Sequence, residues 1–203
     1  MKLYYKPGAC SLASHIVLKE IGKDFEIEKV DTENQVTESG ADFSKINPKG
    51  YVPVLSIEGK QMLTEGAAVL QYLADKNPEA DLAPKSGTLE RARLQEHLNY
   101  ISSELHKAFG PFFSLTASDE ERKSAKDNVG RKMKHFELLF NDGRKYLLGN
   151  QFSVGDAYLF VVSNWANQTG VGLNKWPNLA AFSTRVAGRK SVQAAMHAEG
   201  LSN

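Results

Sequence analysis

Across residues 2 to about 80, the chain alternates two rhythms of apolar and polar positions. KLYY (2–5) is a short β-type run closed by Pro7-Gly8. Leu12, Ile16, Val17 and Ile21 then recur near helical spacing, and Gly22 is a good helix stop. FEIEKV (25–30) alternates apolar and charged residues, as a half-buried strand does. VPVLSI and KQMLTE flank Glu58-Gly59, which reads as a hairpin turn. EGAAVLQYLADKN (65–77) is a helix rich in Ala and Leu. The order β-α-β, a loosely structured stretch, then β-β-α predicts a small α/β layer structure.

From about residue 88 the strand rhythm stops. In 88–113, Leu94, Leu98, Ile101, Leu105 and Ala108 form one helical stripe. Residues 118–143 read as a charged amphipathic helix with a solvated face. SVGDAYLFVVSNWANQ (153–168) is too apolar for a surface helix and is expected at the centre. Two shorter helices, near 178–187 and 190–198, come next. Residues 76–87 hold two prolines, a glycine and no periodicity, and so read as a linker. The expected domains are 1–80 and 88–203, joined by 81–87.

Composition narrows the function classes. The 203 residues carry 25 basic and 24 acidic groups, so no strong field recruits nucleic acid or an anionic membrane. No run approaches the ~20 apolar residues of a membrane span. A single cysteine rules out an internal disulfide framework and fits a reducing compartment; the cytoplasm is the expected location.

That cysteine opens the chemistry. If the helix starts at or just after Cys10, the sulfur sits beside unpaired N–H groups and the positive end of the helix dipole, which favour thiolate. A small buried hydrophobe is the other reading. Val52-Pro53, at the mouth of a strand, is either an edge-strand trans proline or a cis corner that leaves the valine backbone free to pair with an extended ligand. Thr64, Glu65 and Gly66 stand at a helix start, either as a plain acidic first turn or as amides for a carboxylate beside an acceptor for an ammonium.

PGACS, NPKGYVPVL (47–55), LTEG followed by QYLAD (71–75), and an all-helical second half containing SVGDAYLF together resemble a glutathione S-transferase. YYKPGACS and SSELHK (102–107) resemble the bacterial beta-class branch, and the resemblance runs from end to end. It implies a fold of the α/β plus all-α kind: a thioredoxin-like N-terminal domain, then an all-helical domain holding a hydrophobic electrophile site. It also implies a homodimer and reduced glutathione as cosubstrate, with no prosthetic group and no metal.

The resemblance assigns roles by position. Val52 and Pro53 match the cis pair whose valine backbone meets the cysteinyl part of glutathione. Glu65 and Gly66 match the group that holds its γ-glutamyl end. Cys10 matches the cysteine that approaches the glutathione sulfur, with Ser11 beside it. Asn99, Ser103 and His106, at i, i+4 and i+7, are expected on one face bordering the glutathione site, with Glu104 and Lys107 flanking. His106 is expected to accept a proton or donate a hydrogen bond to sulfur. Gln35 stands where relatives carry a lysine for the glycine carboxylate, and Lys49 is the alternative. Of five aromatics that could wall the electrophile pocket, Phe112, Phe113 and Trp165 are preferred over Phe109 and Tyr158. Ser153 and Asp156 have capping-box spacing, a folding role.

The expected activity is conjugation of glutathione to hydrophobic electrophiles, with detoxification as its purpose. Thiol–disulfide exchange through Cys10 is a second reading on the same fold. A non-catalytic protein that binds glutathione or hydrophobes is the third.

Overall fold

A computed structural model of the chain describes residues 1–58 and 61–201. These fall into two compact units, Met1–Ala83 together with the segment from Gly188 onward, and Pro84–Ala187.

The first unit is built on a mixed sheet. Strands β1 (Lys2–Tyr5), β2 (Glu26–Asp31), β3 (Val36–Thr37), β4 (Val54–Ile57) and β5 (Gln61–Thr64) lie in the order β3-β2-β1-β4-β5. β1 runs parallel to β2, and the other pairings are antiparallel. The parallel pair needs a crossover, which helix α1 (Ser11–Ile21) supplies. It stops at Gly22, whose φ of 76° is the left-handed conformation glycine adopts without a Cβ clash. β4 and β5 form the expected hairpin with Ile57 opposite Gln61, while Gly59 of the expected turn lies outside the described residues. The stretch read as loosely structured holds β3 and a one-turn helix, α2 (Phe43–Ile46), too short for periodicity to signal. Helix α3 (Gly66–Lys76) comes directly after β5. Leu3, Ile16, Leu55, Leu70 and Leu73 are fully buried and form the core between sheet and helices.

The domain boundary needs one correction. Helix α10 (Lys190–Ala198) packs on α1 in the first unit and does not belong to the helical one. Its Val192 and Ala195 are buried, and polar ties reinforce the seat. Glu20 of α1 accepts from Arg189 and Ser191. Glu199 pairs with His15 Nδ1 at 2.9 Å, and its other oxygen accepts from the Gly8 amide at 3.0 Å.

The second unit is all helical: α4 (Leu89–Tyr100), α5 (His106–Ala108), α6 (Gly110–Phe113), α7 (Asp119–Leu139), α8 (Val154–Gln168) and α9 (Pro177–Ala187). The expected stripe is the core, since Leu94, Leu98, Ile101, Leu105 and Ala108 are all buried. α8 lies at the centre as its composition requires, with Leu159, Val162 and Ala166 fully buried. Its capping box is formed. Asp156 accepts from the Ser153 amide at 2.8 Å, from the Ser153 hydroxyl at 2.7 Å, and from the Leu147 amide at 2.8 Å. Complete burial nevertheless pushes that carboxyl up to about 6. Among the described residues no helix is long and apolar enough to cross a membrane.

Candidate active site

In the first unit, polar groups gather at one end of the sheet. Cys10 caps α1, so its sulfur stands at the helix start as the sequence suggests. The thiol donates to the Val52 carbonyl at 3.4 Å. Val52–Pro53 is a cis bond, the second of the two readings. Two residues on, Val54 pairs with Thr64, which brings Glu65 and the start of α3 to the same edge. Glu65 has φ 68° and ψ 111°, a conformation that L residues rarely hold, and such outliers collect at functional sites. Gly66 is the first residue of α3, where amides lack intrahelical acceptors.

Ser11 is expected, as a catalytic residue beside Cys10, to stabilise a thiolate through its hydroxyl or its backbone N–H. Fully buried, it accepts from the Lys6 amide at 3.2 Å and donates to the Lys6 carbonyl at 3.3 Å. Its hydroxyl therefore clasps the loop in front of Cys10.

Gln35 also departs from expectation. Its backbone has φ 55°, and its amide nitrogen donates to the Thr32 carbonyl at 2.6 Å and the Gly50 carbonyl at 2.8 Å. Both amide hydrogens are thereby committed, and the remaining atom is an acceptor, which a carboxylate repels. Lys49, the alternative cation, donates to Glu65 at 2.7 Å and Thr64 at 3.0 Å. It occupies the carboxylate that an incoming ammonium would use.

In the second unit, α4 passes into a π-type turn at Ile101–Leu105 before α5. Asn99 precedes this turn, Ser103 lies within it and His106 follows it. Asn99, Ser103 and Lys107 are exposed, whereas the His106 ring turns inward. Its Nδ1 shares a 2.9 Å hydrogen bond with the Tyr158 hydroxyl, and Trp165 meets it edge-on with centroids 4.9 Å apart. Burial, and secondarily the Lys107 charge, lower His106 to about 4. The imidazole is neutral at physiological pH. The Ser103 hydroxyl donates back to the Asn99 carbonyl at 2.8 Å, and Glu104 is held by Lys132 of α7.

Of the aromatics, Phe109, Tyr158 and Trp165 are buried. Phe112 and Phe113 instead line an open cleft of about 700 Å³ with Arg122, Lys123, Lys126, Gln168 and Thr169. Trp165 is thus a backing residue, its ring against Phe113 at 5.1 Å.

Residues 1–75 match the family model for the glutathione S-transferase N-terminal domain, and residues 100–190 match that for the C-terminal domain. The chain is 42% identical, over 99% of its length and all of the relative's, to a curated glutathione S-transferase, GstA, of Escherichia coli O157:H7. It belongs to the glutathione S-transferase family. A bacterial beta-class glutathione S-transferase of Sphingomonas chungbukensis superposes with a TM-score of 0.96 at 44% identity, each chain covered completely. A sphingomonad glutathione S-transferase solved with glutathione superposes at 0.95, also at 44% identity with both chains fully covered.

For this glutathione transferase, the structure brings Cys10, Val52 and Pro53 to the end of the sheet where Glu65 and Gly66 open α3. What the motifs miss are the supporting groups. The Tyr158 hydroxyl on His106 is hidden because Tyr158 reads as core, which it also is. Arg122, Lys123 and Lys126 belong to a charge run that reads as solvated, and only the fold sets them beside Phe112 and Phe113. A cluster of cations at i, i+1 and i+4 opposite two consecutive phenylalanines was the available signal.

Proposed function

We propose that the sheet-edge site binds glutathione and that the enzyme transfers its thiolate to hydrophobic electrophiles. The observation that carries this is the meeting of Cys10 with the Val52 carbonyl beside the Glu65–Gly66 helix start. An extended peptide can pair with the Val52 backbone, its N–H taking the carbonyl that the Cys10 thiol now uses. Its γ-glutamyl ammonium fits Glu65 once Lys49 yields that carboxylate. Lys49 is then free for the glycine carboxylate, which Gln35 does not serve. His106 is neutral, with Nδ1 engaged by Tyr158, so its other ring nitrogen can carry the N–H. In conjugation the glutathione thiolate attacks the electrophilic carbon, a C–S bond forms, and the leaving group departs with its bonding pair. Asn99, Ser103, Glu104 and Lys107 are assigned to ligand or subunit contacts by their place around His106.

A second reaction fits the same thiol. Cys10 as thiolate attacks a glutathionylated disulfide, one S–S bond replaces another, and the displaced thiolate leaves. The proposed assembly is a homodimer, supported by exposed Tyr51 and Met62 in one unit and Leu89 and Leu138 in the other. A cytoplasmic location accords with the lone cysteine, and a detoxifying role would follow from conjugation of hydrophobic electrophiles.

The test is an activity panel with reduced glutathione and aromatic halides, peroxides and mixed disulfides. Turnover of the halides is expected. Glutathione binding with turnover of none of the three would sink the catalytic reading.

A further inference from the structure

The His106 ring is fixed from two directions. Its backbone closes the π-type turn, with the His106 amide donating to the Ile101 carbonyl. Its side chain lies against α8, where Tyr158 and Trp165 stand two helical turns apart and so share a face. Both are buried. The Tyr158 hydroxyl meets Nδ1 at 2.9 Å, and the two rings are nearly perpendicular, at 86°. The Trp165 indole closes on the imidazole edge-on at 4.9 Å. α8 is itself anchored by the capping box of Ser153 and Asp156.

A neutral imidazole carries one hydrogen, and its two tautomers do opposite chemistry. With the hydrogen on Nδ1, the bare Nε2 accepts a proton; with the hydrogen on Nε2, the same atom donates a hydrogen bond. The partner at Nδ1 decides between them. A phenol is a stronger donor than a neutral imidazole N–H, and a bare imidazole nitrogen is a stronger acceptor than a phenol oxygen. The favourable arrangement is therefore Tyr158 O–H donating to Nδ1. The reverse pairs the weaker donor with the weaker acceptor, and in a buried site water does not dilute that difference. Burial also keeps the ring neutral, so no second hydrogen erases the distinction. Among the described residues, the Tyr158 contact is the one hydrogen bond that the ring makes, which leaves Nε2–H for a ligand.

We propose that Tyr158 is a positioning residue: its hydroxyl holds His106 as the Nε2–H tautomer, so that the imidazole donates a hydrogen bond to the glutathione thiolate and does not take the proton of the thiol. The tautomer stands on the geometry of Tyr158 and His106 alone. The donation rests on the reading that His106 serves the glutathione sulfur. The thiol proton then leaves to solvent, and the donor favours thiolate by bonding to the charged form. Tyr158 acts through the imidazole and touches no reacting atom.

The experiment has two arms. Nitrogen NMR of the histidine-labelled native enzyme, with His106→Gln to identify the signals, reads the tautomer directly. At neutral pH, Nδ1 of His106 should resonate as a bare, pyridine-type nitrogen and Nε2 as a protonated, pyrrole-type one. Tyr158→Phe keeps the ring and its packing, and should bring the two signals together as the tautomers mix. A native Nδ1 that carries the hydrogen, or signals unmoved by Tyr158→Phe, overturns the proposal; the native spectrum decides the tautomer even if the variant does not fold. The kinetic arm follows conjugation of an aromatic halide. Tyr158→Phe should lower kcat about three- to tenfold, with the KM for glutathione changed less than about twofold. In the His106→Gln background the same substitution should cost nothing further, because its effect passes through the imidazole. An unmoved kcat in the single variant, or a loss that adds fully to that of His106→Gln, overturns the positioning role. A kcat untouched by His106→Gln overturns instead the reading that His106 serves the sulfur, and the NMR still decides the tautomer.

Discussion

Around Cys10 the polar groups that matter are mostly backbone: the Val52 carbonyl, the amides opening α3, the loop that Ser11 clasps at Lys6. Around His106 they are side chains: an imidazole, a phenol hydroxyl and an indole edge, packed on one another. A backbone site is set by turn conformations and stays much the same whatever surrounds it. A side-chain site takes its properties from what is buried behind it. That is why His106 is lowered to about 4 by burial, although its place in the sequence suggests an ordinary histidine.

The comparison breaks most sharply at Cys10. Cys10→Ala should abolish the single glutathione adduct formed with oxidised glutathione, read by intact-mass spectrometry, while part of the conjugation rate survives. Loss of both to the same degree would mean that the sulfur, and not the surrounding backbone, makes the site.

His106 tests the other side. Its native value of about 4 lies below the ordinary 6.5, so the unfolded chain takes up the proton that the folded chain refuses. Its contribution to stability is present above pH 6.5 and is lost as pH falls towards 4, by roughly 2–4 kcal/mol. His106→Gln removes that loss, so urea midpoints of variant and native protein should diverge in the variant's favour on acidification through this window. Asp156 has the opposite sign. It is raised from 3.8 to about 6, and its contribution is greatest below 3.8 and lost as pH rises through 6. A difference that is flat with pH would mean that His106 titrates normally.

Glu65 should separate stability from binding. Glu65→Gly relieves the φ of 68° and should raise the unfolding free energy by about 0.5–2 kcal/mol. Glutathione affinity should meanwhile fall roughly tenfold with the lost charge-assisted bond. Calorimetry and titration moving in the same direction would remove the argument that strain is held there for the ligand.

The smallest effect on glutathione affinity belongs to Gln35. Gln35→Ala forfeits the bonds to Thr32 and Gly50 and should cost about 1–2 kcal/mol of stability, with glutathione affinity changed less than about threefold. A large loss of affinity at full stability would restore Gln35 as a ligand group.

The same contrast explains what could be read from the sequence. Strand and helix order, the central position of α8 and the cap at Ser153 come from periodicity and turn chemistry, both local properties, whereas the sheet-edge residues are assigned through the family resemblance. Helix α10 could be seen as a helix, but its seat on α1 depends on Glu20, His15 and Gly8, far away in the chain. The π-type turn at 101–105 has no periodic signature, so regular spacing does not reveal it. The inward bonds of Gln35 are not legible, because a side chain that turns back to two carbonyls is spelled like one that reaches outward.

The bond from Glu199 to the Gly8 amide spans 191 positions of sequence. During synthesis the loop before Cys10 emerges early, but its anchoring carboxylate is translated only after the whole helical unit. At ~5–20 residues per second, that leaves the loop without its partner for roughly ten seconds or more. A nascent chain stalled before α10 would hold the sheet and the thiol but lack the contact that fixes the turn in front of it. Emergence of α10 with Glu199, and not completion of the sheet, is therefore the point at which the loop before Cys10 can be finished.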